Sequence, residues 1–81
     1  MRVTIRLFAR LRDLTGSGEL LRDVPVGATV GTVWAALVTE RPELAPYERA
    51  ISCAVNADYS RFSAAVADGD EVAFLPPVSG G

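Results

Sequence analysis

The stretch DGDEVAFLPPVSGG, from Asp68 to Gly81, carries the reading of the whole chain. Asp68, Gly69 and Asp70 read as a turn, with Gly69 supplying the positive φ that other residues adopt only at a cost. The strand that follows, Glu71 to Leu75, alternates: Val72 and Phe74 face one way, Glu71, Ala73 and Leu75 the other. Pro76 and Pro77 lack amide hydrogens and fix φ, so the ladder stops and the chain leaves the sheet in an extended, stiffened course. Val78 offers one apolar anchor, and Ser79, Gly80 and Gly81 complete a thin, flexible thread. Without Cβ atoms, two glycines enter a channel little wider than the backbone, and nothing crowds attack on the Gly81 carbonyl. A carboxylate is an inert electrophile until its oxygen joins a good leaving group. The chemistry expected of this tail therefore needs an ATP-dependent partner to adenylate it. The acidic pair around Gly69 also suggests a metal loop, but the spaced oxygen ligands of a calcium site are absent, and the turn is the stronger reading.

Upstream, Arg2 to Phe8 alternates, with Val3, Ile5 and Leu7 on one face and Arg2, Thr4, Arg6 and Phe8 on the other, which predicts a half-buried strand. Phe8 is the anomaly, a large aromatic on an otherwise polar face, and Leu75 repeats it at the other end of the chain. The segment ARLRDLTGSG reads as a connection turning at Gly16, Ser17 and Gly18, after which a second strand fits Glu19 to Val24. Then the period changes. Thr29 is an N-cap, Val30, Val33, Trp34 and Leu37 share one helical face, and Pro42 ends a helix of roughly three turns. Trp34, in phase with that stripe, reads as core. Pro42 and Pro46 make the next segment irregular. A third strand fits Ser52 to Asn56, where Cys53 reads as a small buried hydrophobe with no His or Lys nearby to lower its pKa. A weaker strand is expected between Tyr59 and Val66. This order predicts an α+β fold, a mixed sheet of four to five strands crossed by one main helix. First and last strands become central neighbours, which sets Phe8 beside Leu75.

With 81 residues the chain is expected to form one domain, 1–81, with 75–81 as its extended tail. A net charge of -2 argues against a nucleic-acid partner, which demands a concentrated basic face. All eight basic residues are Arg, four of them among the first dozen positions. That cluster fits either an acidic partner surface or an edge strand and loop of solvated charges. The absence of Lys means that any isopeptide bond made through Gly81 would use a Lys on another protein. With no His and one Cys, acid/base, metal and nucleophilic-triad constellations are missing, so the isolated chain is not expected to be an enzyme. Arg2, Thr4 and Arg6 interrupt any signal-peptide pattern, and no apolar run approaches a membrane span, so a cytoplasmic protein without membrane contact is expected.

Three blocks, FARLRDLTG at Phe8–Gly16, AVN at Ala54–Asn56 and DGDEVAFLPPVSGG at Asp68–Gly81, resemble the small sulfur-carrying subunit of molybdopterin synthase, a member of the ubiquitin-like β-grasp superfamily. The resemblance implies a β-grasp fold and a mechanism. An activating enzyme of the ubiquitin-E1 type would spend ATP, with magnesium, on an acyl-adenylate at Gly81. A sulfur donor such as a cysteine desulfurase or rhodanese-type protein would convert it to a thiocarboxylate. The tail would then enter the large catalytic subunit and deliver sulfur to cyclic pyranopterin monophosphate, making molybdopterin within a heterotetramer. On this resemblance the chain binds no cofactor itself and is the sulfur-donating, non-catalytic subunit of a sulfurtransferase. It further implies that Gly81 carries the reacting carbonyl and that Gly80 threads the pocket. Phe8, Arg12, Tyr59, Leu75, Pro76, Pro77 and Val78 would meet partners. For Arg12 a surface ion pair of little weight stands equally open. Carriers for thiamine, tRNA thiolation or cysteine synthesis, a ubiquitin-like modifier, and a pure interaction module remain alternatives.

Overall fold

Alternation at Val3, Ile5 and Leu7 does build a strand, β1 (Arg2–Leu7), and all three side chains are buried. The computed structural model describes residues 1–77, so the parts expected of Val78, Gly80 and Gly81 lie outside the described residues. Beside β1 run β2 (Glu19–Asp23), antiparallel, and β5 (Glu71–Leu75), parallel. Beyond β5 come β3 (Ser52–Val55) and β4 (Asp58–Ser60), each antiparallel to its neighbour, giving one sheet in the order β2-β1-β5-β3-β4. First and last strands are adjacent and interior, as the element order predicted. The Arg-rich start is therefore not an edge strand: β1 is flanked by β2 and, from Thr4 on, by β5, and Arg2 and Arg6 project from an interior strand.

The helix α2 (Val30–Glu40) lies over one face of this sheet. Thr29 caps it reciprocally, its hydroxyl accepting from the Thr32 amide at 3.2 Å while the Thr32 hydroxyl accepts from the Thr29 amide at 3.0 Å. Val30, Val33, Trp34 and Leu37 are all buried, and the Trp34 ring sits 5.0 Å from that of Phe74 on the central strand. Burial of this stripe against Ile5, Leu7, Val72 and Phe74 is the main stabilising term of the fold. Among the described residues no helix is long and apolar enough to cross a membrane.

Two expectations need correction. The segment after Phe8 is not only a connection: Ala9–Thr15 forms a short helix, α1, because Leu11 and Thr15 fall one turn apart and both bury, and Gly16 at φ 74° closes it with its amide on the Arg12 carbonyl. The expected strand between Tyr59 and Val66 shrinks to β4. Its remainder turns away and is pinned to the start of α2, where the amides of Val30 and Gly31 donate to the carbonyls of Ala64 and Phe62 at 2.9 Å. That close approach favours Gly31, since a Cβ there would stand 3.3 Å from the Phe62 carbonyl oxygen, a tight contact that the neighbouring backbone would have to ease by a few tenths of an ångström. The irregular segment at the prolines is a 3-10 helix, Pro42–Tyr47.

Candidate functional site

Register decides what the helix-free face of the sheet carries. Phe74 pairs with Leu7 on one side and with Cys53 on the other in a buried row, whereas Arg6, Ala73, Ala54 and Tyr59 form the next row, on the opposite face. Leu75 and Phe8 extend beyond that row on the same open side, at the end where β5 runs out to Pro76. Phe8 is 38% exposed and Tyr59 is 80% exposed, large apolar surfaces that a core would otherwise have taken up. The Arg6 guanidinium carbon lies 5.7 Å from the Phe8 ring centroid, and Arg6 also reaches Glu71 at 3.6 Å.

Phe8 and Leu75 do meet: together with Ala9, Arg10, Tyr47, Pro76 and Pro77 they line an open groove of about 560 Å³ at the base of the tail. Its floor is apolar. Four of the sequence-derived contact residues, Phe8, Leu75, Pro76 and Pro77, thus gather in one place. Tyr59 shares the open face but not the groove, standing on the far edge strand beside a separate depression. Arg12 lies on the other side of Phe8 with its side chain against Gly18, and among the described residues it makes no ion pair. Sequence reasoning had Arg10 only as one of the arginine cluster that fits an acidic partner surface or solvated charges, and missed Tyr47; the two approach one another at the groove's lip, the Arg10 Nε donating to the Tyr47 hydroxyl at 3.4 Å. The signal that would have found them is a helical reading of residues 9–15, which lifts Arg10 out of the Arg cluster toward Leu75.

The other singled-out residues are structural. Cys53 is buried, donates its thiol to the Ser60 carbonyl at 3.0 Å, and has its pKa pushed up by burial, which is the opposite of an activated nucleophile. Asp68 accepts from the Arg2 amide at 2.7 Å. Asp70 accepts from the Asn56 side chain and the Ala67 amide at 3.0 and 2.8 Å, so both carboxylates of the Gly69 turn fasten backbone rather than face one another around an ion. Asn56 completes the tie by accepting from the Glu71 amide at 3.0 Å, joining the β3–β4 hairpin to the start of β5.

A mixed five-stranded sheet with its last strand in the middle, one main helix across it and a tail leaving beside an apolar groove defines the ubiquitin-like β-grasp class of small carrier and modifier domains. Within that class the chain belongs to the ThiS family, whose model matches residues 5–81. It is 38% identical over 79 residues to the molybdopterin synthase sulfur carrier subunit of Arabidopsis thaliana, covering 98% of this chain and 82% of that one. The crystal structure of the archaeal modifier SAMP1 from Haloferax volcanii superposes with a TM-score of 0.86 at 35% identity, covering all of both chains. A chain of the Amycolatopsis orientalis BexX/CysO complex matches with a TM-score of 0.74 at 29% identity over 98% of this chain and 99% of that one.

Proposed function

We propose that this chain carries sulfur for molybdenum cofactor synthesis, as a thiocarboxylate at Gly81. The observation that carries the reading is the apolar groove of Phe8, Leu75, Pro76 and Pro77 at the point where the tail leaves the sheet. It gives a partner a grip beside the thread whose end reacts, and the likeness to a named sulfur carrier subunit supports the choice of pathway. In this reading the Gly81 carboxylate attacks the α-phosphorus of ATP, releasing pyrophosphate, in an activating enzyme that supplies the magnesium site. The terminal sulfur of a donor protein's persulfide displaces AMP from the acyl-adenylate, a thiol of the partner reductively cleaves the resulting acyl disulfide to leave the thiocarboxylate and a partner disulfide, and the large synthase subunit receives the charged tail. The catalytic groups reside on those partners. Phe8, Leu75 and the two prolines hold the carrier in place while Gly80 threads the pocket, with Tyr59, Arg12 and Val78 widening the contact.

Incubation with the cognate activating enzyme, ATP and a sulfur donor, followed by intact mass and fragmentation, tests it. Replacement of one oxygen by sulfur at Gly81 is the expected result. An unchanged mass, with an authentic carrier converted in parallel, overturns it. The likeness to an archaeal modifier favours a second reading, attachment through Gly81 to a Lys of another protein. Conjugates surviving a denaturing gel would establish it, since the same adenylate serves both chemistries.

A further inference from the structure

Among the described residues that line the groove at the tail exit, Arg10 is the only charged one. Arg6, on the open face beside Phe8, lies 3.6 Å from Glu71 and covers the Phe8 ring, while Arg12, which makes no ion pair among the described residues, lies on the other side of Phe8 and outside the groove. Arg10 has no such carboxylate among the described residues. Its Nε donates to the Tyr47 hydroxyl, which leaves the outer edge of the guanidinium, the edge suited to a bidentate carboxylate, turned to solvent. Tyr47 is itself well anchored, ending the 3-10 helix just after Pro46, and its carbonyl accepts from the amides of Ala50 and Ile51. The charge is therefore steadied at the lip of an apolar floor.

Position brings this charge close to whatever takes the tail. Four residue steps separate Pro77 from Gly81, a reach of about 14 Å at full extension. A protein that encloses the Gly81 carboxyl therefore works within about 14 Å of the groove, near enough for its surface to meet Arg10. A purely apolar surface would strip water from an unpaired guanidinium, and a basic one would repel it. Only an occupant with a carboxylate beside its apolar anchor meets both the floor and the lip.

We propose that Arg10, steadied by Tyr47, selects the recipient of the tail by pairing with a carboxylate placed next to the apolar side chain that fills the groove. This rests on the reading above, in which the recipient is the large synthase subunit. The test is a calorimetric titration of the cognate large subunit with the full-length chain and with Arg10→Glu, Arg10→Lys, Arg10→Gln and Tyr47→Phe, at low and high salt. Arg10→Glu is expected to weaken binding on the order of tenfold or more, and Arg10→Lys only a few-fold. Salt is expected to weaken the wild type more than Arg10→Gln, a difference that a merely structural Arg10 would not produce. Tyr47→Phe falls between wild type and Arg10→Gln. Equal affinity of wild type and Arg10→Glu overturns the proposal, as does a wild type that does not bind. Thiocarboxylate formation, read separately by mass, keeps the two ideas apart. If it forms while Arg10→Glu binds normally, the carrier reading stands and the selection fails. If it does not form while Arg10→Glu still loses tenfold, the selection stands and the sulfur chemistry fails.

Discussion

Asn56 and Ala57 join β3 to β4 in two residues, both at positive φ, 49° and 71°. Such a turn matches the twist of the strands it joins, and Asn-Gly is its preferred pair. Here Ala57 stands where Gly would be easy. A left-handed conformation costs an L-residue about 1–2 kcal/mol, and Gly gives back about half to one of these through unfolded-state entropy. Ala57→Gly is therefore expected to stabilise the protein by up to about 1 kcal/mol in chemical denaturation, and Ala57→Val to destabilise it. A midpoint that drops on Ala57→Gly would contradict this account. AVN was visible as a resemblance, but the reason for its Asn, two hydrogen bonds across to Asp70 and Glu71, needed the fold.

Among the elements, α2 was the most legible, because eleven residues give a buried stripe time to repeat and Thr29 announces its start. Its capping is reciprocal, so Thr29→Ala removes an acceptor from the Thr32 amide. A cost of about 1 kcal/mol follows, read as a lower unfolding midpoint, with Thr29→Ser nearly neutral. The helix α1 was illegible for the opposite reason. At seven residues it is too short for its period to stand out from a turn, and it is stable only because Leu11 and Thr15 are buried by the rest of the molecule. The same logic shortened the strand after Tyr59. Its polar and small residues suit a pleated edge, yet the Ala64 and Phe62 carbonyls found partners on α2 instead.

For the molecule as a whole, two carboxylates lie below their ordinary pKa values. Asp70 is lowered from 3.8 by Asn56 and the Ala67 amide, and Glu40 from 4.5 by the Arg22 guanidinium, at 2.8 Å. Each is held ionised more firmly in the folded state than in the unfolded chain. Their contribution is complete above the ordinary values and is lost as pH falls through the lower folded ones. Both groups are solvent-facing and screened, so each contributes no more than about 1 kcal/mol. Thermal unfolding should show a midpoint declining through that acid range, less steeply in the double variant Asp70→Asn with Glu40→Gln. An equal slope in the two proteins would remove these pairs from the account. The sequence alone determined the main helix, the alternating strands and the misplacement of Phe8 and Leu75 on an open face, whereas the adjacency of first and last strands was an inference from element order that the sheet then bore out. Period and turn chemistry are local properties that a linear string retains. The tertiary structure alone decided that those two residues share a groove with Arg10 and Tyr47, and that Tyr59 stands apart from it. Register between β1, β5, β3 and β4 and the path of a prolyl 3-10 helix bring together residues 37 positions apart, and no local pattern encodes that distance.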